Sequence, residues 1–200
     1  MRKPDTIFLA SGNLHKIEEL YQLLEPLQIG IRSTRDLEDV EEVEEDHPDL
    51  AGNALKKARY WHGVTGLPSL ADDTGLEVDA LNGAPGVWSA RYAGEGASYT
   101  DNVEKLLREL DGKTDRKARF RTVIAYVTKE GEFLFEGVCE GVITKEPKGE
   151  KGFGYDPVFR PDGYKETFAE LSAEEKNRIS HRGRALEKFV EWINNSTIHQ

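Results

Sequence analysis

Two adjacent carboxylates, Asp72 and Asp73, follow the apolar pair Leu70-Ala71 and precede Thr74-Gly75-Leu76, and this stretch restricts the folds open to the chain more than any other. The short apolar run reads as a buried strand, and a Gly after a small hydroxyl residue permits a sharp turn. Like charges side by side repel, so a pair carried into a cleft needs a cation or a shared proton. A hydrated divalent metal would supply the cation, and one carboxylate could then orient or deprotonate a bound water. The competing reading is a solvated turn, because Asp, Thr and Gly are common turn formers.

The flanking segments lend the pair company. Thr6-Ile7-Phe8-Leu9-Ala10 reads as a buried strand that runs into Ser11-Gly12-Asn13-Leu14-His15-Lys16. A helix then follows, with apolar residues at Ile17, Leu20, Tyr21 and Leu24 and a stop near Pro26. Strand, small-residue turn and helix N-terminus together make an anion cradle, with backbone N–H groups pointing outward along a favourable dipole. Lys16 in the first turn works against that dipole, which suggests a bound anion. The second Gly and the Lys-Ser/Thr pair of a Walker A loop are missing. A second helix is expected from Leu50 to His62, with Lys56, Lys57 and Arg59 beside an alanine-rich face. Leu76–Leu81 alternates like a half-exposed strand, and Val103, Leu106, Leu107 and Leu110 mark an amphipathic helix closed by Gly112. Two long strands, Phe120–Val127 and Phe133–Ile143, form a hairpin. Gly149 to Gly154 reads as flexible and leads into Phe153-Gly154-Tyr155-Asp156-Pro157, an aromatic loop that would offer a flat face to a base. Lys176, Arg178, His181, Arg182 and Arg184 cluster around Ser180, a cap for the last helix.

Charge narrows the partners. The chain has 200 residues and a formal net charge of −10, but nine acids fall between Asp36 and Asp49, and without them the balance is close to neutral. Most of that block reads as a solvated loop, with one or two carboxylates near the following helix able to reach a metal. No basic stripe suited to duplex binding is present, so nucleic acid is not an expected partner. No apolar run approaches a membrane span and the N-terminus lacks a signal-peptide core, so the expectation is a cytoplasmic protein without a membrane partner. A lone Cys139 excludes an intramolecular disulfide framework and a multi-cysteine zinc site. Asp73-Thr74-Gly75 is also the tripeptide of aspartic proteases. One copy could be completed only by a symmetric dimer, and the helical patterns are too numerous for that all-β fold.

Taken in order, the segments resemble the inosine triphosphate pyrophosphatase family. The carrying motifs are Ser11-Gly12-Asn13 with Lys16, Asp72-Asp73-Thr74-Gly75-Leu76, Gly83-Ala84-Pro85-Gly86, Ser89-Ala90-Arg91-Tyr92, Gly152 to Pro157 and Glu175 to Arg182. The resemblance implies one domain over residues 1–200 with a two-lobed α/β fold. It implies a long mixed twisted sheet, flanking helices and a nucleotide cleft between the lobes. It also implies a homodimer and Mg²⁺-dependent hydrolysis of purine nucleoside triphosphates such as dITP, ITP and XTP to the monophosphate and pyrophosphate. By position, Asp73 resembles the proton acceptor and a metal ligand, with Glu45 as the second metal carboxylate and Glu44 as its alternative. Ser11, Gly12, Asn13, Leu14, His15, Lys16, Thr74 and Lys176 would hold the triphosphate, with Lys57 near it. Phe153, Gly154, Tyr155, Asp156, His181 and Arg182 would enclose the base.

Overall fold

Ile7, Phe8 and Leu9 are consecutive and all but fully buried, which only a strand covered on both faces allows. They form β1 (Thr6–Leu9), hydrogen-bonded in parallel to β2 (Gly30–Ser33) and to β3 (Ser69–Val78). The computed structural model describes residues 3–198. Its other strands are β4 (Pro85–Gly86), β5 (Lys117–Thr128), β6 (Gly131–Ile143) and β7 (Phe159–Pro161). They join one mixed sheet in the order β2-β1-β3-β5-β6-β7, with β4 paired antiparallel to β3 and β7 antiparallel to β6. The helices are α1 (Leu14–Leu24), α2 (Leu50–Thr65), α3 (Tyr99–Glu109), α4 (Ala173–Ile179) and α5 (His181–Ile198).

The described chain divides into two compact units, one of residues 3–73, 123–136 and 185–198, the other of residues 74–122 and 137–184. In the first unit, pleating sends neighbouring β1 and β3 side chains to opposite faces. Ile7, Leu9 and Leu70 pack with Leu20 and Leu24 of α1 and with Leu186, Phe189 and Ile193 of α5. Ala71 packs with Ala54 and Ala58 of α2, joined by Ala125 and Val127 of β5. The small side chains bring α2 close to the sheet, and Trp61 of α2 stacks on Phe8 with centroids 5.2 Å apart. In the second unit, Leu76 and Val78 pack with Val103 and Leu106 of α3, Phe120 of β5, Phe159 of β7 and Phe168.

Most expected elements form, with some corrections. No turn occurs at Gly75: β3 runs unbroken through the acidic motif. Gly is required there because a Cβ would lie 2.6 Å from the Gly86 carbonyl oxygen of the neighbouring strand. Tyr21 is half exposed rather than on the buried face, and its hydroxyl donates to Glu25 at 3.3 Å. Within the largely exposed Gly149–Gly154 stretch two glycines leave no room for a side chain: a Cβ on Gly149 would meet the Ala169 backbone at 2.5 Å, and one on Gly152 the Asp156 carboxylate at 2.0 Å. The strand expected over Leu76–Leu81 ends at Val78, with a 3₁₀ turn over Asp79–Leu81, and the short β4, α4 and β7 were not anticipated. α4 is announced by a capping box, with the Ser172 hydroxyl accepting from the Glu175 amide and the Glu175 carboxylate from the Ser172 amide.

Gly75→Ala is expected to lower unfolding stability by about 1–3 kcal/mol, because backbone atoms on β4 cannot rotate away from the added methyl. Urea unfolding followed by circular dichroism checks this. A midpoint indistinguishable from that of the parent protein would mean that β4 yields freely.

Candidate active site

Asp72 and Asp73 lie in the middle of β3, 5% and 8% exposed. Consecutive strand residues point to opposite faces, so the two carboxylates meet different hydrogen-bond donors. Asp72 follows Leu70 onto the α1 face, where Lys16 Nζ donates to its Oδ2 at 2.7 Å. Asp73 follows Ala71 onto the α2 face, where Asn53 Nδ2 donates to its Oδ2 at 3.0 Å. The sequence suggested a single cation or a shared proton for the pair; the two carboxylates take different hydrogen-bond partners, while the Lys57 ammonium acts electrostatically on both.

The Ser11–Lys16 segment forms the turn into α1. Asn13 is the N-cap, its side chain accepting from the His15 and Lys16 amides at 3.0 and 3.4 Å. The Asn13 amide donates to Ser11 Oγ at 3.2 Å, and Arg35 reaches the Gly12 carbonyl at 3.4 Å. No acidic residue occupies the first turn of α1, so the positive end of the dipole meets no carboxylate of its own helix. Gly12, Asn13, Leu14 and His15 are exposed, while Lys16 turns inward to Asp72.

Helix α2 binds the acidic block to β3. Asp49 caps it, accepting from the Gly52 amide at 2.7 Å. Lys56 Nζ donates to Asp46 at 2.6 Å, and Lys57 Nζ donates both to Glu45 Oε1 and to the Asp72 backbone carbonyl, the latter at 2.7 Å. Burial opposes the Lys57 charge, but Glu45, Asp72 and Asp73 together outweigh it and hold the ammonium above the ordinary lysine range. Of the two carboxylates left open by the alignment, Glu45 is the one seated on Lys57, whereas Glu44 is exposed. Sequence reading placed Lys57 only near the site and missed Asn53. An asparagine four residues before a lysine, beside the alanines of the same helix, was the signal available.

The remaining residues fall in the second unit. Thr74 and Thr122 share a hydroxyl hydrogen bond of 2.6 Å. Asp156, 3% exposed, accepts at Oδ2 from the Phe153 amide at 2.9 Å and from Lys176 Nζ at 2.5 Å. Burial pushes the Asp156 carboxyl above its usual range, although Lys176 and the Phe153 amide pull it back. Lys176 Nζ also sits 4.8 Å from the centroid of the half-exposed Phe153 ring. Tyr155 is buried, its hydroxyl donating to the Ser89 carbonyl at 2.8 Å. The His181 ring stacks on Phe120 with centroids 4.6 Å apart, at the start of α5 beside a partly buried Arg182. Lys176, expected at the triphosphate, is thus held against the aromatic loop by Asp156. The turn between α4 and α5 is fixed by Ser180, whose hydroxyl accepts from the Gly183 amide at 3.0 Å.

Comparison with known proteins places this geometry in context. The model of the Ham1 family matches residues 7–192. The dITP/XTP pyrophosphatase of Desulfotalea psychrophila is 52% identical over 195 residues, covering 94% of this chain and 87% of that protein. The enzyme of the same name from Thermoanaerobacter pseudethanolicus is 48% identical, covering 94% and 96%. Among solved structures, a HAM1 protein from Coxiella burnetii superposes with a TM-score of 0.90 at 42% identity, over 95% of this chain and 98% of that one. With a family model spanning nearly its whole length and relatives about half identical across it, the chain belongs to the Ham1 family.

Proposed function

We propose that this protein hydrolyses dITP, ITP and XTP between the α- and β-phosphates, releasing the nucleoside monophosphate and pyrophosphate with the help of Mg²⁺. The observation that carries the reading is the grouping, within one unit, of Lys57 with Glu45, Asp72 and Asp73, and of Lys16 in the α1 turn with Asp72. The names of the relatives, dITP/XTP pyrophosphatase, support the substrate class.

The donor set suits Mg²⁺. Magnesium is held by one or two carboxylates together with substrate phosphates and waters, rather than by an all-protein cage. Among the described residues no group of three or more His, Cys, Asp or Glu could hold a metal unaided, while Glu45 and Asp73 offer two hard oxygen ligands around Lys57. When bound there, Mg²⁺ would offset the charge of the phosphates. The α1 turn, Ser11 to Lys16, would bind phosphate oxygens through backbone N–H groups and the Lys16 ammonium. Asp73, its carboxylate plane held by Asn53, would take the proton of the attacking water as the bond to pyrophosphate breaks. Lys16 and Lys57 would stabilise the charge that develops on the leaving pyrophosphate.

Base selection falls to hydrogen-bond polarity. Hypoxanthine and xanthine carry a 6-keto acceptor suited to donors from Arg182 or the backbone near His181. Adenine would set donor against donor, at a cost of a few kcal/mol, on the order of 1–3 for each unpaired buried group. The homodimer implied by the family resemblance and the cytoplasmic setting expected from the sequence belong to this same reading. No helix among the described residues is long and apolar enough to cross a membrane.

Pyrophosphate release from ITP, XTP, ATP, GTP and CTP with Mg²⁺ tests the proposal. Strong release from ITP and XTP, lost on chelation, is expected; equal turnover of all five would refute the base pocket, and turnover of none would refute the activity. Asp73→Asn should lower kcat by at least about 10²-fold, the lower end for a lost general base, with the circular dichroism spectrum retained. Full activity in that variant would exclude the proton-acceptor role. Lys16→Ala should reduce kcat/KM about 10- to 100-fold, the worth of a charge-assisted hydrogen bond. It should also lower Tm, because the buried Asp72 carboxylate loses the ammonium that donates to it; unchanged steady-state kinetics would remove Lys16 from the triphosphate.

A further inference from the structure

We infer that Asn53 is a positioning residue for the metal carboxylates, fixing the Glu45 loop and Asp73 relative to each other through one side-chain amide. The inference rests on the metal role proposed above for Glu45 and Asp73. Asn53 is 1% exposed in the second turn of α2. Its Oδ1 accepts the His47 backbone N–H at 2.9 Å, and its Nδ2 donates to Asp73 Oδ2 at 3.0 Å. The two partners agree on the orientation of the amide. A backbone N–H can only donate, so Oδ1 must face His47, and an ionised carboxylate can only accept, so Nδ2 must face Asp73. A hydrocarbon side chain could satisfy neither.

The position has no helical or packing reason to be an asparagine. Asn is a weaker helix former than Ala because its side chain competes for backbone groups, and the neighbouring face of α2 is alanine, Ala54 and Ala58, both fully buried. What an amide supplies is a rigid span of two hydrogen bonds from the loop to β3. The loop is seated on the same helix turn in other ways. The His47 ring lies over Gly52, where a Cβ would come within 1.8 Å of Nδ1. Asp49 caps the helix, and Lys56 holds Asp46. Two residues before His47, Glu45 meets Lys57, one helical turn after Asn53. The distance from Glu45 to Asp73 is therefore set through α2, where Lys57 bonds Glu45 and the Asp72 carbonyl and Asn53 bonds the His47 amide and the Asp73 carboxylate itself. Small displacements of ligand oxygens matter here because Mg²⁺ tolerates little departure from octahedral geometry.

The test compares Asn53→Ala with Asn53→Gln, which keeps the amide one methylene further out. Three readouts are taken on the full-length protein. The first is Mn²⁺ affinity without substrate, measured by electron paramagnetic resonance; Mn²⁺ is an oxygen-preferring stand-in for Mg²⁺. The second is hydrogen exchange of the peptide containing His47, and the third is the split of kcat and KM for ITP at saturating Mg²⁺. For Asn53→Ala we expect Mn²⁺ binding weakened at least tenfold, exchange at His47 at least tenfold faster, and kcat lowered at least tenfold with KM within threefold of the parent. Asn53→Gln should recover part of each loss, and its own comparison with the parent carries the test should the alanine variant not fold. Reduced Tm with Mn²⁺ affinity and kcat within twofold of the parent would overturn the inference, since a merely structural hydrogen bond would behave that way. Absence of turnover in the parent protein would refute the proposed function instead, and would leave the Mn²⁺ and exchange comparisons to decide the role of Asn53.

Discussion

A carboxylate taken out of water loses several kcal/mol of solvation unless cations and hydrogen-bond donors replace the lost shell. β3 carries two in succession, and the geometry of the first unit follows from meeting that requirement on both faces of one strand. Lys16 must reach Asp72 from α1, so α1 has to begin directly after β1, with Asn13 capping it. Asn53 and Lys57 must reach Asp73 and the Asp72 carbonyl from α2, so α2 has to lie close against the sheet. Alanines at 54, 58 and 71 make that approach possible. A bulkier residue at any of the three would move Asn53 and Lys57 away from their partners, and would cost more than its own overpacking.

The acidic block follows from the same constraint. Read along the chain it is a run of repelling charges, yet many of its members have a definite task in the fold. Asp36 accepts from the Ser33 amide at 2.7 Å and Glu41 from the Tyr60 hydroxyl at 2.7 Å, while Asp49 caps α2. Asp46 and Glu45 hold Lys56 and Lys57. Exposed pairs such as Lys56–Asp46 contribute little stability, so their consequence is chiefly geometric. They lay the loop along one side of α2, and that places Glu45 at the site.

Much of this was legible before any coordinates. The periodicity around Ile17, Leu20 and Leu24, the apolar run of β1 and the two long hairpin strands follow local rules, and all three form where those rules put them. The ordered motifs named the residues now found converging on Lys57 and on Asp156. What local rules could not supply was pairing at a distance. Gly75 reads as a turn former because its partner, the Gly86 carbonyl, lies eleven residues on across a strand pair. Asn53 reads as an ordinary helix residue because neither His47 nor Asp73 lies within a helical turn of it. Alternation along β3 did imply that Asp72 and Asp73 face opposite ways, but only once the strand was known to continue through the motif.

The charge balance of the first-unit cluster makes a separate argument for a metal, one that does not depend on family resemblance. Three carboxylates, Glu45, Asp72 and Asp73, stand against two ammonium groups, Lys16 and Lys57. Each lysine is already engaged by a carboxylate, and Lys57 is held firmly protonated by all three. A cluster that is negative on balance repels an anion, and partial burial strengthens the repulsion by lowering the effective dielectric constant. A triphosphate arriving alone would therefore find its lysines shared with competing carboxylates. Were the site built for an anion alone, replacing Glu45 or Asp73 by a neutral residue would improve it, since the lysines would then be fully available. On the proposed function both carboxylates have a use, because the anion then arrives with a cation that needs oxygen ligands of its own. Nucleotide binding and divalent-cation binding should for that reason be thermodynamically coupled, each strengthening the other by the same factor.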